Sequence, residues 1–69
     1  MSITILTDKS FHSISKVKKE FNIFRVISIK KGNLNMIEFF NKDGAFRGFG
    51  RDTKAAYKKA KKTLKRYYK

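Results

Sequence analysis

From Asp52 to Lys69 the chain has no Gly, and its only β-branched residues are Thr53 and Thr63. A run of this composition favours the α-helix. At 100° per residue, Ala56, Tyr57, Ala60, Leu64 and Tyr67 gather on one face. Lys54, Lys58, Lys61, Lys62, Lys65 and Lys69 gather on the other. Asp52 is a suitable N-cap. The apolar stripe needs a surface to lie on, and its small residues suit close packing against a sheet.

The preceding residues supply that sheet. Residues 23–30 (Ile-Phe-Arg-Val-Ile-Ser-Ile-Lys) are β-branched and aromatic, and predict a strand. Lys31-Gly32-Asn33 is a turn, and residues 34–41 (Leu-Asn-Met-Ile-Glu-Phe-Phe-Asn) are a second strand. Lys42-Asp43-Gly44 is a hairpin turn with Gly where positive φ is needed, and residues 45–50 are a short third strand. Phe11, Ile14, Val17 and Phe21 recur at helical spacing, in a helix reaching about Glu20 and capped by Thr7, Asp8 or Ser10. Residues 1–7 alternate, as in a short strand or a docked arm. The expected class is α+β: a three-stranded antiparallel sheet with helices on one face, in the order α-β-β-β-α, with an additional N-terminal strand as an option.

One pattern conflicts with that picture. A sheet covered on one side should alternate apolar and polar residues. The second strand instead carries Ile37 and Phe39 on one side and Leu34, Met36 and Phe40 on the other. The first has Ile23, Ile27 and Ile29 against Phe24 and Val26. Either the N-terminal arm covers the second face, or a second copy or a protein partner does.

Composition then limits function. The 69 residues form one domain, and a chain this short buries only roughly 60% of its unfolded surface. Without Cys there is no disulfide framework and no thiolate metal site. One His, His12, and five scattered acids (Asp8, Glu20, Glu38, Asp43 and Asp52) build no catalytic constellation. The expectation is a non-enzyme without metal or cofactor, with His12 at the surface. No apolar stretch approaches the roughly 20 residues of a membrane span, and the first residues lack the pattern of a signal peptide. The expected location is therefore intracellular, in the cytoplasm.

Charge supplies the positive indication. Eighteen Lys+Arg face five Asp+Glu, a formal charge of +13. The 14 Lys against 4 Arg suit phosphate neutralisation better than bidentate base reading, although an AT-rich genome would leave the same bias. On the C-terminal helix Lys54 and Lys58, Lys58 and Lys62, Lys61 and Lys65, and Lys65 and Lys69 are like-charge neighbours one turn apart. Each such pair costs an isolated helix about 0.2–0.5 kcal/mol. A merely solvated face would intersperse Glu, so this face is expected to bind a polyanion. A membrane surface fits less well, because interfacial helices want Leu, Phe or Trp on the apolar side, whereas this one, apart from Leu64, offers Ala56, Ala60 and tyrosines. Gly48-x-Gly50 ahead of the helix suits either a phosphate cradle or close helix packing, and packing is preferred. Of the aromatic residues, most suit core filling, and Phe49 and Tyr68 are the candidates for base stacking.

The segment Gly48-Phe-Gly-Arg-Asp-Thr-Lys-Ala-Ala-Tyr-Lys-Lys-Ala60 resembles the C-terminal half of a double-stranded-RNA-binding domain. That family carries Gly-x-Gly-x-Ser-Lys-Lys-x-Ala-Lys-x-x-Ala-Ala into its last helix. Gly48, Gly50, Lys54, Ala56 and Ala60 match in register, and Asp52 stands at the capping Ser. Thr53 and Tyr57 replace two of the family's lysines, for which Arg51, Lys58 and Lys61 are available one turn away. The short Lys30-Lys31-Gly32-Asn33 loop lacks the family's Gly-Pro-x-His element, and Lys16 stands where helix one often has Glu. The resemblance implies a module that binds duplex nucleic acid by shape and charge, with RNA favoured over DNA. Arg51, Lys54, Lys58, Lys61, Lys62 and Lys65 would contact phosphates, and Lys16, Lys18, Lys19, Lys30 and Lys31 would extend the footprint. Two alternatives stand beside it: duplex DNA bound through the sheet by residues such as Arg25 and Arg47, and a small viral or mobile-element inhibitor docking on an acidic protein surface.

Overall fold

The computed structural model describes residues 2–69. Met1, where the N-terminal alternation begins, lies outside them. In chain order the elements are β1 (Ser2–Ile5), α1 (Ile14–Phe21), β2 (Arg25–Lys31), β3 (Leu34–Asn41), β4 (Gly44–Gly50) and α2 (Thr53–Tyr67). The class is α+β, a four-stranded antiparallel sheet in the order β1-β2-β3-β4 with two helices. The three-stranded expectation is corrected by one strand. Residues 2–5 hydrogen-bond to the free edge of β2, with Ile3 opposite Ile29 and Ile5 opposite Ile27. The N-terminal segment therefore extends the sheet and does not cover its second face.

Register sorts the side chains. Val26, Phe39 and Phe46 share one row, and Ser28, Ile37 and Gly48 the next. This face carries both helices. Ile14 and Val17 of α1 and Ala56, Tyr57, Ala60 and Leu64 of α2 join Val26, Ile37 and Phe39 in the core. Each such large apolar side chain contributes about 1.5–3 kcal/mol by leaving water. Three long-range polar contacts hold the helices in place. The Ser13 and Tyr57 hydroxyls bond at 2.6 Å, with Phe11 stacked on the Tyr57 ring at 4.1 Å. Asn41 Nδ2 donates to the Phe21 carbonyl at 3.0 Å and to the Tyr68 hydroxyl at 2.8 Å.

Glycines set two of the geometries. Gly44, at φ +134°, opens β4 after the two-residue turn Lys42-Asp43, and the Asn41 side chain accepts from the Asp43 amide at 2.8 Å. Gly48 faces α2 so closely that a Cβ there would lie 2.1 Å from the Ala60 amide nitrogen. At Gly50 a Cβ would lie 2.6 Å from the Ala56 nitrogen. The Gly-x-Gly pair is a ledge for the helix backbone.

α1 is shorter than expected. It begins at Ile14, since Thr7 and Ser10 close a turn of their own, with the Ser10 amide bonded to the Thr7 carbonyl at 2.9 Å. Ser13 holds the N-cap position but makes no side-chain cap bond.

Candidate functional site

α2 contains no acidic residue. Its buried stripe leaves two rows of cations. Thr63 marks one flank, because its hydroxyl donates to the Arg47 carbonyl at 3.1 Å on the outer edge of β4. Lys59, Lys62 and Arg66 lie toward that flank. Lys54, Lys58, Lys61 and Lys65 form the other row, and Lys61 Nζ stands 5.4 Å from the centre of the Tyr57 ring. An open cleft of about 730 Å³ runs along the β4 edge and is lined mainly by Arg47, Phe49, Lys58, Lys62, Lys65 and Arg66.

The sequence candidates divide into groups. Lys58, Lys61, Lys62 and Lys65 line this cleft together. Arg51 and Lys54 stand at the opposite end of α2, on the side of the sheet end that carries Lys30. There Lys30 is in register with Asn35, whose side chain donates to the Arg51 carbonyl at 3.0 Å. Lys31 points to the other face, so the two adjacent lysines cannot serve one surface. Lys16, Lys18 and Lys19 belong to α1 and lie outside the cleft, with Lys18 partly buried. Lys59, Arg66 and Arg47 were missed as members of the helix site. The signal for the first two was Lys59-Thr63-Arg66, a row at helical spacing beside the apolar stripe.

Pairing separates structural charges from available ones. Among the described residues there is one ion pair, Arg47 with Glu38, and Glu38 is only 5% exposed. Arg47 thus neutralises a buried carboxylate, while the α2 lysines have no carboxylate partner. A large unpaired charge of one sign raises the local concentration of polyanions and speeds their arrival. The helix N-terminus contributes less than its dipole suggests. Asp52 Oδ1 already accepts from the Ala55 amide at 2.8 Å and puts a negative charge where a phosphate would sit.

The two stacking candidates differ. Phe49 is 47% exposed at the cleft's rim. Tyr68 is tied down: its hydroxyl donates to Asp43 and accepts from Asn41, and its ring stacks on Phe21 at 5.4 Å. The bond to Asp43 holds the Tyr68 hydroxyl above the ordinary tyrosine value. Burial does the same for Tyr57, against a smaller lowering by its bond to Ser13. His12 is exposed, and no cluster of three potential metal ligands occurs among the described residues. No helix of the described residues is long and apolar enough to cross a membrane.

Compared with protein-family models, with characterised proteins and with solved structures, the chain matches none.

Proposed function

We propose that this chain is a non-catalytic, cytoplasmic binder of duplex nucleic acid of the double-stranded-RNA-binding type, with RNA favoured over DNA. The observation that carries the reading is the acid-free outer surface of α2. There Lys58, Lys62, Lys65 and Arg66 converge with no carboxylate to neutralise them. The α-β-β-β-α order within the chain and the seating of α2 on Gly48 and Gly50 agree with the family resemblance. Lysines reach phosphates as flexible point charges, so recognition is by backbone spacing and helix shape with little base reading. Arg51, Lys54 and Lys30 extend the surface beyond the N-terminus of α2.

The test is fluorescence anisotropy with matched RNA and DNA duplexes of about 16–20 base pairs, long enough for such a module, and a single strand. Neutralising six to eight phosphates lowers affinity about a thousandfold or more between roughly 50 and 200 mM salt. The double variant Lys54→Glu/Lys58→Glu is expected to lose binding while its circular-dichroism spectrum stays that of the wild type. Undiminished binding by that folded variant would remove α2 as the site. A larger loss from Arg25→Glu than from the helix variant would move binding to the sheet.

A further inference from the structure

The sheet face opposite the helices is largely apolar and is uncovered. One row crosses all four strands as Ile3, Ile29, Met36 and Phe49, and the next runs Ile5, Ile27, Glu38 and Arg47. Ile3 and Ile5 are 60% and 67% exposed. Soluble chains rarely leave such a patch without an occupant. We infer that the occupant is a second copy of this chain, packed face to face across this sheet.

Three observations select a copy over another partner. The first is charge. The strand cations on this face are Arg25, Lys31 and Arg47. Arg47 is neutralised by Glu38, while Arg25 and Lys31 sit at opposite ends of β2. The centre of the face therefore asks for a surface without net charge that is apolar opposite the Ile3–Phe49 row, which is what the face itself offers. An acidic partner would be drawn to the helices instead. The second is geometry. In a sandwich the sheets lie about 10 Å apart, with the helices on the outside. The two lysine-rich surfaces are then roughly 30 Å apart, several Debye lengths at physiological salt, so the +13 charge of each copy does not forbid the pair. The third is area. Four strands about 4.8 Å apart, β1 of 4 residues and the others of 7, 8 and 7, present roughly 400 Å² of flat surface per copy, and side-chain relief adds to it. Two copies, with that relief, approach from below the lower bound of specific interfaces, about 1,200 Å² in total. The pair is therefore one that separates on dilution. Edge-to-edge pairing through β4 is opposed by the lysines flanking that edge.

The experiment is sedimentation equilibrium on the full chain, freed of nucleic acid by nuclease and high salt, from about 1 µM to about 1 mM. The expected result is a shift from the 8.1 kDa monomer to a species of twice that mass. The shift should be stronger at about 1 M salt than at about 0.15 M, because salt screens the repulsion between copies and leaves apolar burial intact. Nucleic-acid binding responds to salt in the opposite sense, so failure of one reading is distinguishable from failure of the other. Ile3→Asp/Ile5→Asp should remain monomeric throughout. Leu34→Asp, on β3 at the rim of the same face, provides a second reading independent of β1. A wild-type monomer at every concentration overturns the inference and leaves the face to another protein. A dimer that weakens with salt, or one that survives both variants, overturns it as well.

Discussion

On β3, Ile37 and Phe39 are fully buried beneath the helices, while Met36 and Phe40, their immediate neighbours, stand partly exposed on the opposite side. The residue types on the two faces are nearly the same, so hydrophobicity does not decide which face the helices cover. The difference lies in relief. The covered face has Gly48 and Gly50 where α2 crosses β4, and what lies nearest them is α2 backbone at Ala55, Ala56, Lys59 and Ala60 together with the Ala55 methyl group. The open face has Phe49, Arg47 and Ala45 at the corresponding places on β4. A helix backbone can settle against the first, whereas the second keeps it at side-chain distance.

This comparison breaks most directly at Gly48. A methyl group there meets backbone atoms of α2, which cannot rotate away. Gly48→Ala is expected to cost about 3 kcal/mol or more and to lower the melting temperature by roughly 12–24 °C. A melt within a few degrees of the wild type would show that α2 does not sit where described. Next in size is a matched pair of truncations. Leu64→Ala, wholly buried against the sheet, should cost about 2–5 kcal/mol. Leu34→Ala, half-exposed on the open face, should stay within about 0.5 kcal/mol in solution too dilute for the proposed pairing of copies. Equal losses in denaturant titration would mean that both faces are covered in the monomer.

Two tyrosines link the covered side to alkaline pH. Tyr57 and Tyr68 hold their protons more tightly folded than unfolded. Their contribution is complete below about pH 10 and is lost as pH climbs through the raised folded values. Denaturant midpoints should therefore fall more steeply above about pH 10 in the wild type than in Tyr57→Phe/Tyr68→Phe. Parallel curves would remove that role. The smallest effect is a gain. Lys58→Glu relieves repulsion with Lys54 and Lys62, each worth about 0.2–0.5 kcal/mol, and should raise the melting temperature slightly. The same variant should weaken duplex binding and lower the salt slope by about one, if Lys58 meets a phosphate.

Local chemistry made much of this fold readable. Asp52 caps α2 as its spacing from the apolar stripe suggested, and the 34–41 strand has the expected bounds. What escaped depends on distant partners. Thr7, Asp8 and Ser10 have the composition of an N-cap, yet the helix starts at Ile14, and the hydroxyl of Ser13 is spent on Tyr57, 44 residues away. Tyr68 looked free beside a basic surface, but its partners Asn41 and Asp43 belong to the β3–β4 turn. Polar residues in a strand also read as solvent-facing, whereas Asn35 and Asn41 are buried against backbone carbonyls that only the packed helices and turns supply. The lysine rows on α2 followed from periodicity. Arg47's commitment to Glu38 is a cross-strand pairing, set by register.

The strand order has a kinetic consequence. Each of β3, β4 and α2 packs beside the element that precedes it in the chain, across connections of a few residues. Closing such short loops costs little entropy, so this unit is expected to form early and quickly. β1 alone must return around α1 to reach β2. It makes four register pairs, and its Ile3 and Ile5 are left mostly in water. In native-state hydrogen exchange, Ser2–Ile5 should open at a lower free energy than β3, exchanging while the rest of the sheet stays protected.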